Sequence, residues 1–284
     1  MIGYGNSMFL ATHGILARSA SAPSFVGLLD TYSGAAAAYS LRRLATAYTG
    51  NLIRVRRSSD NAEQNIGFVN NVLDTASLLT FCGANNGFVT TWYDQSGSGN
   101  NATQSTAANQ PQIVSSGAMV TTNSKNSMSF DGTNSFLNLA SSITAGSSSF
   151  NTFVGKRDAS GRHLYGLSGG TNEQYLWGLL SNNYYLQAIT NTYQFSSATD
   201  TSTSQLLLTG QNAAGTMSIF KNGNTITSGA GTTTYTPVIG SIGNYFTNSL
   251  RAHCNLQEII FYNSDQSSNR TGIESNINTF YSIY

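Results

Sequence analysis

Short stretches of alternating apolar and polar residues, separated by turn residues, follow one another along the chain from residue 94 onward. This pattern predicts a series of strands, and many short strands with few helices are typical of two packed antiparallel sheets. The predicted strands cover residues 112–114, 127–130, 136–139, 150–154, 163–167, 175–179, 184–189, 205–210, 216–221 and 256–262. Between two of them, Asn222-Gly223 is a strong signal for a two-residue hairpin turn.

Three shorter patterns precede this region. Apolar residues at helical spacing predict an amphipathic helix over residues 35–48 that Gly50 ends. The residues that carry this spacing are Ala37, Leu41, Leu44 and Tyr48. Residues 51–57 alternate as a strand, and residues 88–93 predict a buried strand.

Two further helices have recognisable ends. Asp74 predicts the N-cap of a helix over residues 75–82, which Gly83 ends. Residues 267–281 predict a C-terminal helix packed on the sheets, because apolar residues recur there at four-residue spacing, and Asp265 is its predicted cap.

Composition narrows the class of protein. Of the 284 residues only 9% are charged, against about 25% in a typical soluble domain, while 39% are hydrophobic. The polar surface must therefore consist of hydroxyl, amide and glycine residues, which is typical of extracellular or particle-surface proteins. The net charge of +1 gives no attraction to nucleic acid or to an anionic membrane. No stretch approaches the roughly 20 apolar residues of a membrane span.

The ends of the chain suggest how it is organised. Residues 1–30 are weakly patterned and predict an anchoring or assembly arm, or else a partly ordered tail, whereas residues 31–284 predict one sandwich domain. Residues 1–22 lack the basic start and apolar core of a secretory signal. A surface-type composition without such a signal favours a virion component.

The sequence gives little support for a metal site or a disulfide. The only cysteines, Cys82 and Cys254, lie far apart in sequence, and two buried free thiols are favoured over a disulfide. The three histidines are isolated, so no zinc site is predicted; they are His13, His163 and His253.

Several segments resemble laminin-G-like, concanavalin-type jelly rolls over roughly residues 110–284. They are Phe130-Asp131-Gly132, the strand 136–139, the Asn222-Gly223 hairpin and the strand 257–263. The resemblance implies a mainly β, concanavalin or laminin-G-like jelly-roll sandwich with a few short helices. No cofactor is predicted, and a Ca²⁺ ion is left open because such folds often, but not always, carry one.

A second resemblance is more distinctive. Residues 38–57, 58–60, 80–82 and the run from Trp92 to Asn100 look like the opening of the family 54 α-L-arabinofuranosidase catalytic domain. The same segment, joined to a laminin-G-like end, resembles tail, fibre and capsid-surface proteins of tailed bacteriophages. The two resemblances imply an enzyme and a particle protein respectively.

The enzyme interpretation requires two carboxylates, about 5–5.5 Å apart in a retaining glycosidase. The acids that could face a cleft are Asp94, Asp158, Glu173, Asp200 and Glu258. The resemblance implies an acid/base Asp where this chain has Asn244, and an amide does not donate a proton at useful cost. It also implies a Glu near Tyr184 to Gln187 and a cysteine pair near Leu164 to Gly170, and neither is present. We therefore expect no catalytic activity.

Carbohydrate binding is the remaining chemistry. In the motif from Trp92 to Asn100, side chains suited to holding a sugar or Ca²⁺ are Trp92, Asp94, Gln95 and Asn100. The alternative is that this motif only shapes a turn, with Gly97 and Gly99 at positive φ. Further aromatic candidates for a sugar platform are Trp177, Tyr184 and Tyr245.

A cluster of arginines is the main concentration of positive charge. Its members are Arg42, Arg43, Arg54, Arg56 and Arg57. The cluster lacks interleaved aromatic residues for base stacking. Pairing with Asp60, Glu63 and a neighbouring subunit is favoured over binding of phosphate or nucleic acid.

These observations favour a non-catalytic bacteriophage structural protein at the virion surface, such as a head fibre, capsid decoration or tail fibre. It would contact other virion proteins through the arm, form a homo-oligomer with a trimer favoured, and display the sandwich for weak, multivalent adhesion to surface glycans. Neither nucleic acid nor a membrane is a predicted partner. The alternatives are an arabinofuranosidase-type glycoside hydrolase acting on surface polysaccharide, and a structural particle subunit without ligand.

Overall fold

The computed structural model describes residues 24–144, 148–159, 164–168, 174–180, 182–189, 195–196, 199–213, 215–230, 238–244 and 251–284. The strands are β1 Ala37–Ser40, β2 Ile53–Arg57, β3 Glu63–Ile66, β4 Phe68–Val69, β5 Val72–Leu73, β6 Gly87–Trp92, β7 Ala102–Thr103, β8 Gln112–Ser115, β9 Ala118–Met119, β10 Thr121–Thr122, β11 Lys125–Asn126, β12 Met128–Asp131, β13 Leu137–Thr144, β14 Ser149–Arg157, β15 Leu164–Ser168, β16 Gln174–Leu180, β17 Asn183–Ile189, β18 Phe195–Ser196, β19 Leu206–Ala213, β20 Thr216–Lys221, β21 Asn224–Ala230, β22 Val238–Ile242 and β23 His253–Tyr262. The helices are α1 Leu28–Thr31, α2 Thr75–Cys82 and α3 Arg270–Tyr281.

The strands form an antiparallel sandwich, as the strand pattern predicts. One layer runs in the order β21-β20-β19-β14-β23, and the far edge of β23 pairs with β1 and with β12. The other layer runs β17-β16-β15-β22-β13-β7-β6-β2-β3. Strand β8 pairs with both β12 and β6 and so joins the two layers. The prediction of a mainly β sandwich with a few short helices is confirmed.

Strand β23 shows how the sequence fills both faces of its layer. Alternate side chains of a strand point to opposite faces. Ile259 and Phe261 lie in the main core between the layers. Ile260 and Tyr262 lie in a second apolar cluster on the outer face. Because both faces are covered, every residue from Leu256 to Tyr262 is buried, and Ile259 to Tyr262 form a continuous apolar run instead of alternating.

Helix α3 covers this outer face. Its buried residues Ile273, Ile277 and Tyr281 recur at four-residue spacing and pack in the same cluster as Phe150 and Val154 of β14. The helix begins at Arg270, three residues later than the pattern predicts. Asp265 does not cap it; its carboxylate accepts hydrogen bonds from the N–H and hydroxyl of Ser267 instead.

The prediction of a helix over residues 35–48 is wrong. Residues Ala37–Ser40 form strand β1 and pair with β23 in the register Ala37 to Phe261 and Ser40 to Glu258. All four side chains of β1 are buried. Pairing with a buried central strand satisfies the backbone groups of this segment, and this long-range contact outweighs a weak local preference for helix.

Other local predictions are confirmed. Asp74 caps α2 through the N–H of Ser77 at 3.0 Å, and Gly83 ends the helix with φ of 56°. Asn222 and Gly223 have φ of 51° and 78° and connect β20 to β21. These features depend on neighbours in sequence, which is why the sequence alone indicates them.

Residues 1–23, most of the predicted arm, lie outside the described residues, and the role of the arm stays a prediction. From Gly27 the chain packs on the sandwich, because Leu28 and Leu29 are buried in the outer cluster. Cys82 and Cys254 are buried thiols that form no disulfide, as predicted. None of the helices in the described ranges has the length and hydropathy that crossing a membrane requires. Within the same ranges, no three His, Cys, Asp or Glu side chains come together as a metal site would need.

Candidate functional site

The loop from Trp92 to Asn100 is built around the carboxylate of Asp94. Asp94 is 5% exposed. It accepts hydrogen bonds from the N–H groups of Ala38 at 2.9 Å, Ser96 at 2.9 Å and Asn100 at 3.0 Å. The Ser96 hydroxyl donates a fourth, at 2.7 Å. Gly97 and Gly99 have positive φ, as the turn interpretation requires. The carboxylate therefore shapes the loop and fastens it to β1.

The three remaining candidates of this motif are also inside the fold. Trp92 is fully buried, with its ring 5.7 Å from that of Tyr39. The Gln95 side chain accepts from the N–H of Leu44 and donates to the carbonyl of Arg42, at 2.8 and 2.9 Å. Asn100 exchanges two hydrogen bonds with the backbone of Ser141, each at 2.8 Å. These contacts fit the turn interpretation, and the carbohydrate-binding role of the four residues stays a prediction.

The other aromatic candidates lie on or beside the second layer. Trp177 is in β16, paired with Leu186 of β17, and Tyr184 of β17 is paired with Leu179. Tyr245 lies outside the described residues, as does the candidate acid Glu173. The role of these aromatic residues in sugar binding stays a prediction.

Two of the candidate acids form ion pairs with basic side chains. Glu258 is fully buried, and its two oxygens accept from the guanidinium of Arg42 at 2.7 and 3.0 Å. Asp200 pairs with the ammonium group of Lys221 at 2.5 Å. Both are engaged in holding strands and loops together.

The arginine cluster has the local pairings that the sequence predicts. Arg54 pairs with Glu63 at 2.6 Å, and Arg57 pairs with Asp60 at 2.7 Å. Arg42 differs, because it is buried against Glu258 and its guanidinium lies 4.8 Å from the centroid of the Phe280 ring. Contact with a neighbouring subunit stays a prediction.

The fifth candidate acid, Asp158, belongs to a group that we call the polar corner: Asp131, Asp158, Asn244, Arg251 and His253. Arg251 and His253 are two residues apart in sequence and so project from the same face of the chain. The guanidinium of Arg251 donates to Asn244, and its centre lies 4.5 Å from the Phe136 ring centroid. His253 Nε2 lies 3.2 Å from the carboxylate of Asp158, which is 62% exposed.

Glycine makes room for this arrangement. Asp131 of β12 pairs in register with His253, and Gly132 follows with φ of 74°. A Cβ atom at Gly132 would lie 2.8 Å from Cβ and Cγ of His253. The absence of a side chain therefore lets the imidazole approach the turn of β12, with Asp158 on its Nε2 side.

The polar corner holds charged groups of both signs. Burial acts to raise the pKa of Asp131, but hydrogen bonds from the N–H groups of Ser135, Thr133 and Asn134 outweigh it and hold the pKa below its ordinary value. Burial lowers the pKa of Arg251, against the opposing charge of Asp131. An ionised carboxylate, an exposed carboxylate and an imidazole thus occupy one end of the sandwich, and groups of these kinds can transfer protons.

Sequence analysis did not identify this corner. In the sequence, Asp131 belongs to the Phe130-Asp131-Gly132 segment of the jelly-roll resemblance, and His253 is isolated from the other histidines. The sequence signal for this corner is the two-residue spacing of Arg251 and His253 at the start of β23. This spacing indicates a site only once β23 is known to pair with β12, which lies more than one hundred residues earlier in the chain.

Comparison with protein families gives one match. Residues 30–136 match the family model described as "Alpha-L-arabinofuranosidase B, catalytic". Two curated relatives carry the name "Probable alpha-L-arabinofuranosidase B". The one from Aspergillus terreus is 40% identical over 85 residues, which is 28% of this chain and 17% of the relative. The one from Aspergillus clavatus is 42% identical over 71 residues, which is 24% of this chain and 14% of the relative. The aligned segments are thus a small part of both relatives.

Solved structures with a similar fold are also arabinofuranosidases. One is a Glu→Gln mutant of a GH54 enzyme soaked with 4-nitrophenyl α-L-arabinofuranoside, with a TM-score of 0.71 and 20% identity over 89% of this chain and 65% of that chain. Another is an arabinofuranosidase complexed with arabinofuranosyl-α-1,2-xylobiose, with a TM-score of 0.67 and 20% identity over 89% of this chain and 64% of that chain.

These findings correct the functional prediction. The interpretation as a non-catalytic virion structural protein at a particle surface is wrong, because the family model that residues 30–136 match, both curated relatives and the two structures described above are of arabinofuranosidases. The departures from the arabinofuranosidase pattern lie at single positions between residues 164 and 244. The family match lies earlier, in the segment that resembled enzymes and particle proteins alike. The chain therefore has the fold of family 54 α-L-arabinofuranosidases, and its residues 30–136 match the model of their catalytic domain.

Proposed function

We propose that this chain is a glycoside hydrolase that acts on α-L-arabinofuranosides. The observation that carries the proposal is the match of residues 30–136 to the arabinofuranosidase B catalytic family. The shared fold supports it over 89% of the chain. This function was the alternative that the segment from Tyr39 to Asn100 suggested.

Hydrolysis breaks the bond between the anomeric carbon and the leaving-group oxygen. Water supplies a hydroxyl group to the carbon and a proton to that oxygen. A glycosidase therefore needs a group that gives up a proton and a second carboxylate that stays ionised. Asn244 stands where the resemblance implies the proton donor, so another side chain must take that role.

The polar corner offers such a group beside Asn244. Asp158 is the exposed carboxylate of the corner and lies 3.2 Å from Nε2 of His253, and carboxylate and imidazole groups both serve as general acids or bases in enzymes. Asp131 is held ionised by three backbone N–H groups and favours positive charge nearby. Glu173, outside the described residues, remains a second candidate carboxylate.

The test is release of 4-nitrophenol from 4-nitrophenyl α-L-arabinofuranoside by the purified chain. We expect release by the unmodified chain, and a fall in kcat/KM of about 100-fold or more in Asp158→Asn, the usual range for loss of a general acid or base. Glu173→Gln tests the second candidate in the same assay. Asp265→Asn is the control, because among the described residues the hydrogen bonds of this exposed carboxylate are to Ser267 in its own turn.

Each outcome has a defined meaning. No release by the folded, unmodified chain would contradict the proposed activity. Release that Asp158→Asn leaves unchanged would keep the activity and remove the polar corner from the mechanism. Circular dichroism of each variant separates lost activity from lost structure.

A further inference from the structure

Two cavities border the short hairpin of β10 and β11. The larger has a volume of about 510 Å³ and is lined mainly by hydroxyl and amide groups. The smaller has a volume of about 190 Å³ and is lined by hairpin residues and by Phe280 and Tyr281 of α3. Both reach the end of α3, since Ser282 lines the larger cavity and Tyr281 the smaller.

Each cavity is lined by one lysine that forms no ion pair with an acidic residue in the part of the chain that the structure describes. Lys125 lines the smaller cavity and Lys156 the larger. No residue that lines either cavity is Asp or Glu, and within the described ranges no ion pair includes either lysine. Lys221, by contrast, is paired with Asp200. The nearby carboxylate of Glu258 is already neutralised by Arg42.

The hairpin that carries Lys125 is held rigidly. Gln257, fully buried in β23, donates its side-chain N–H groups to the carbonyls of Thr122, Lys125 and Asn126 at 3.1, 3.3 and 3.2 Å. Asn123 at the tip donates to the carbonyl of Tyr281 at 3.1 Å. The ammonium group of Lys125 lies 4.5 Å from the centroid of the Phe280 ring. A preorganised surface loses little conformational entropy when it binds a ligand.

We propose that the two cavities form one binding site for an acidic oligosaccharide, in which Lys125 and Lys156 each receive a carboxylate of the sugar chain. The hydroxyl groups of Thr203 and Ser204 in the larger cavity match the hydrogen-bonding groups of a sugar. Leu41 and Val72 give the smaller cavity an apolar wall for ring C–H groups. The choice of a sugar over other dianions rests on the proposed function. The requirement that the ligand carry two negative charges rests on the two lysines alone.

The test is isothermal titration calorimetry with linear oligogalacturonate, and with a neutral galacto-oligosaccharide of equal length as the matched ligand. We expect binding of the acidic ligand alone, weakening as salt is added. Lys125→Gln and Lys156→Gln should each weaken binding roughly fivefold, as loss of a partly exposed ion pair does. The double variant should bind roughly 25-fold more weakly, because the effects of separate sites add in free energy. Arg54→Gln removes the same charge from an exposed pair elsewhere and should bind as the unmodified chain does.

Absence of binding by the unmodified chain would overturn the proposal, as would equal binding by the double variant. The outcome is independent of hydrolysis, because oligogalacturonate contains no arabinofuranoside. A chain that binds oligogalacturonate but releases no nitrophenol would contradict only the proposed hydrolase. A chain that releases nitrophenol but ignores oligogalacturonate would contradict only this site.

Discussion

At the scale of single residues, the main buried charge is the pair of Arg42 and Glu258. Glu258 accepts two hydrogen bonds from Arg42 and one from the hydroxyl of Ser40 at 2.7 Å. Tyr281 donates a further one at 3.3 Å, and burial raises the pKa of its hydroxyl well above its usual value. The pair ties β1, β23 and α3 together at one point.

Removing one partner of such a pair leaves the other charge buried and uncompensated. We expect Glu258→Gln to lower the free energy of unfolding by about 3 kcal/mol. The control is Glu63→Gln, which breaks the exposed pair with Arg54 and should cost less than about 1 kcal/mol. Urea unfolding followed by circular dichroism measures both variants. Equal effects would show that burial of the Glu258 pair contributes nothing.

A second residue-scale prediction concerns pH. The pKa of Asp131 is lower in the folded chain, where three backbone N–H groups favour the ionised form. Its contribution to stability is therefore complete above its unfolded pKa of about 4 and is lost as pH falls through the folded pKa. We expect Asp131→Asn to be less stable than the unmodified chain at pH 7, with a difference that shrinks below about pH 4. A pH-independent difference in urea midpoint would contradict this.

At the scale of elements, α2 is the clearest case of local determination. Asp74 satisfies the N–H of Ser77 and also accepts from its hydroxyl at 2.6 Å. We expect Asp74→Ala to lower the free energy of unfolding by about 1 kcal/mol, whereas Asp74→Asn should retain most of the stability because Asn is an equally good N-cap. Thermal unfolding of the two variants measures both losses of stability. Identical losses would mean that charge, rather than capping, stabilises the helix.

Strand β1 is the opposite case. Its first residue, Ala37, begins a run of apolar residues at helical spacing, and only pairing with β23 makes this segment a strand. Asp94 adds to this pairing by accepting a hydrogen bond from the N–H of Ala38 at 2.9 Å. Both partners lie more than fifty residues away, so no local pattern contains the information that decides this element.

At the scale of the whole molecule, stability depends on covering both faces of the layer that contains β14 and β23. Ile277 of α3 is fully buried in the outer cluster. We expect Ile277→Ala to cost about 3 kcal/mol through lost burial and a residual cavity. Thr279→Ala, on the exposed side of the same helix, should change stability by less than about 0.5 kcal/mol. A small effect at Ile277 would mean that α3 is not required for the sandwich.

The sequence by itself determined the mainly β class, the capped helix α2, the hairpin at Asn222-Gly223 and the positions of most strands. Each of these follows from periodicity or from contacts within a few residues. The resemblance in residues 38–100 also pointed to the family whose model residues 30–136 match.

Only the tertiary structure decided how these elements combine. It made β1 a strand, turned the Asp94 motif inward, and brought Asp131, Asp158, Asn244, Arg251 and His253 to one corner. It also placed Lys125 and Lys156 in neighbouring cavities. Asp131, Asp158 and the segment that contains Asn244, Arg251 and His253 are separated by tens of residues along the chain, and so are Lys125 and Lys156. Their proximity depends on strand order and register, which arise from packing of the whole core and not from local sequence.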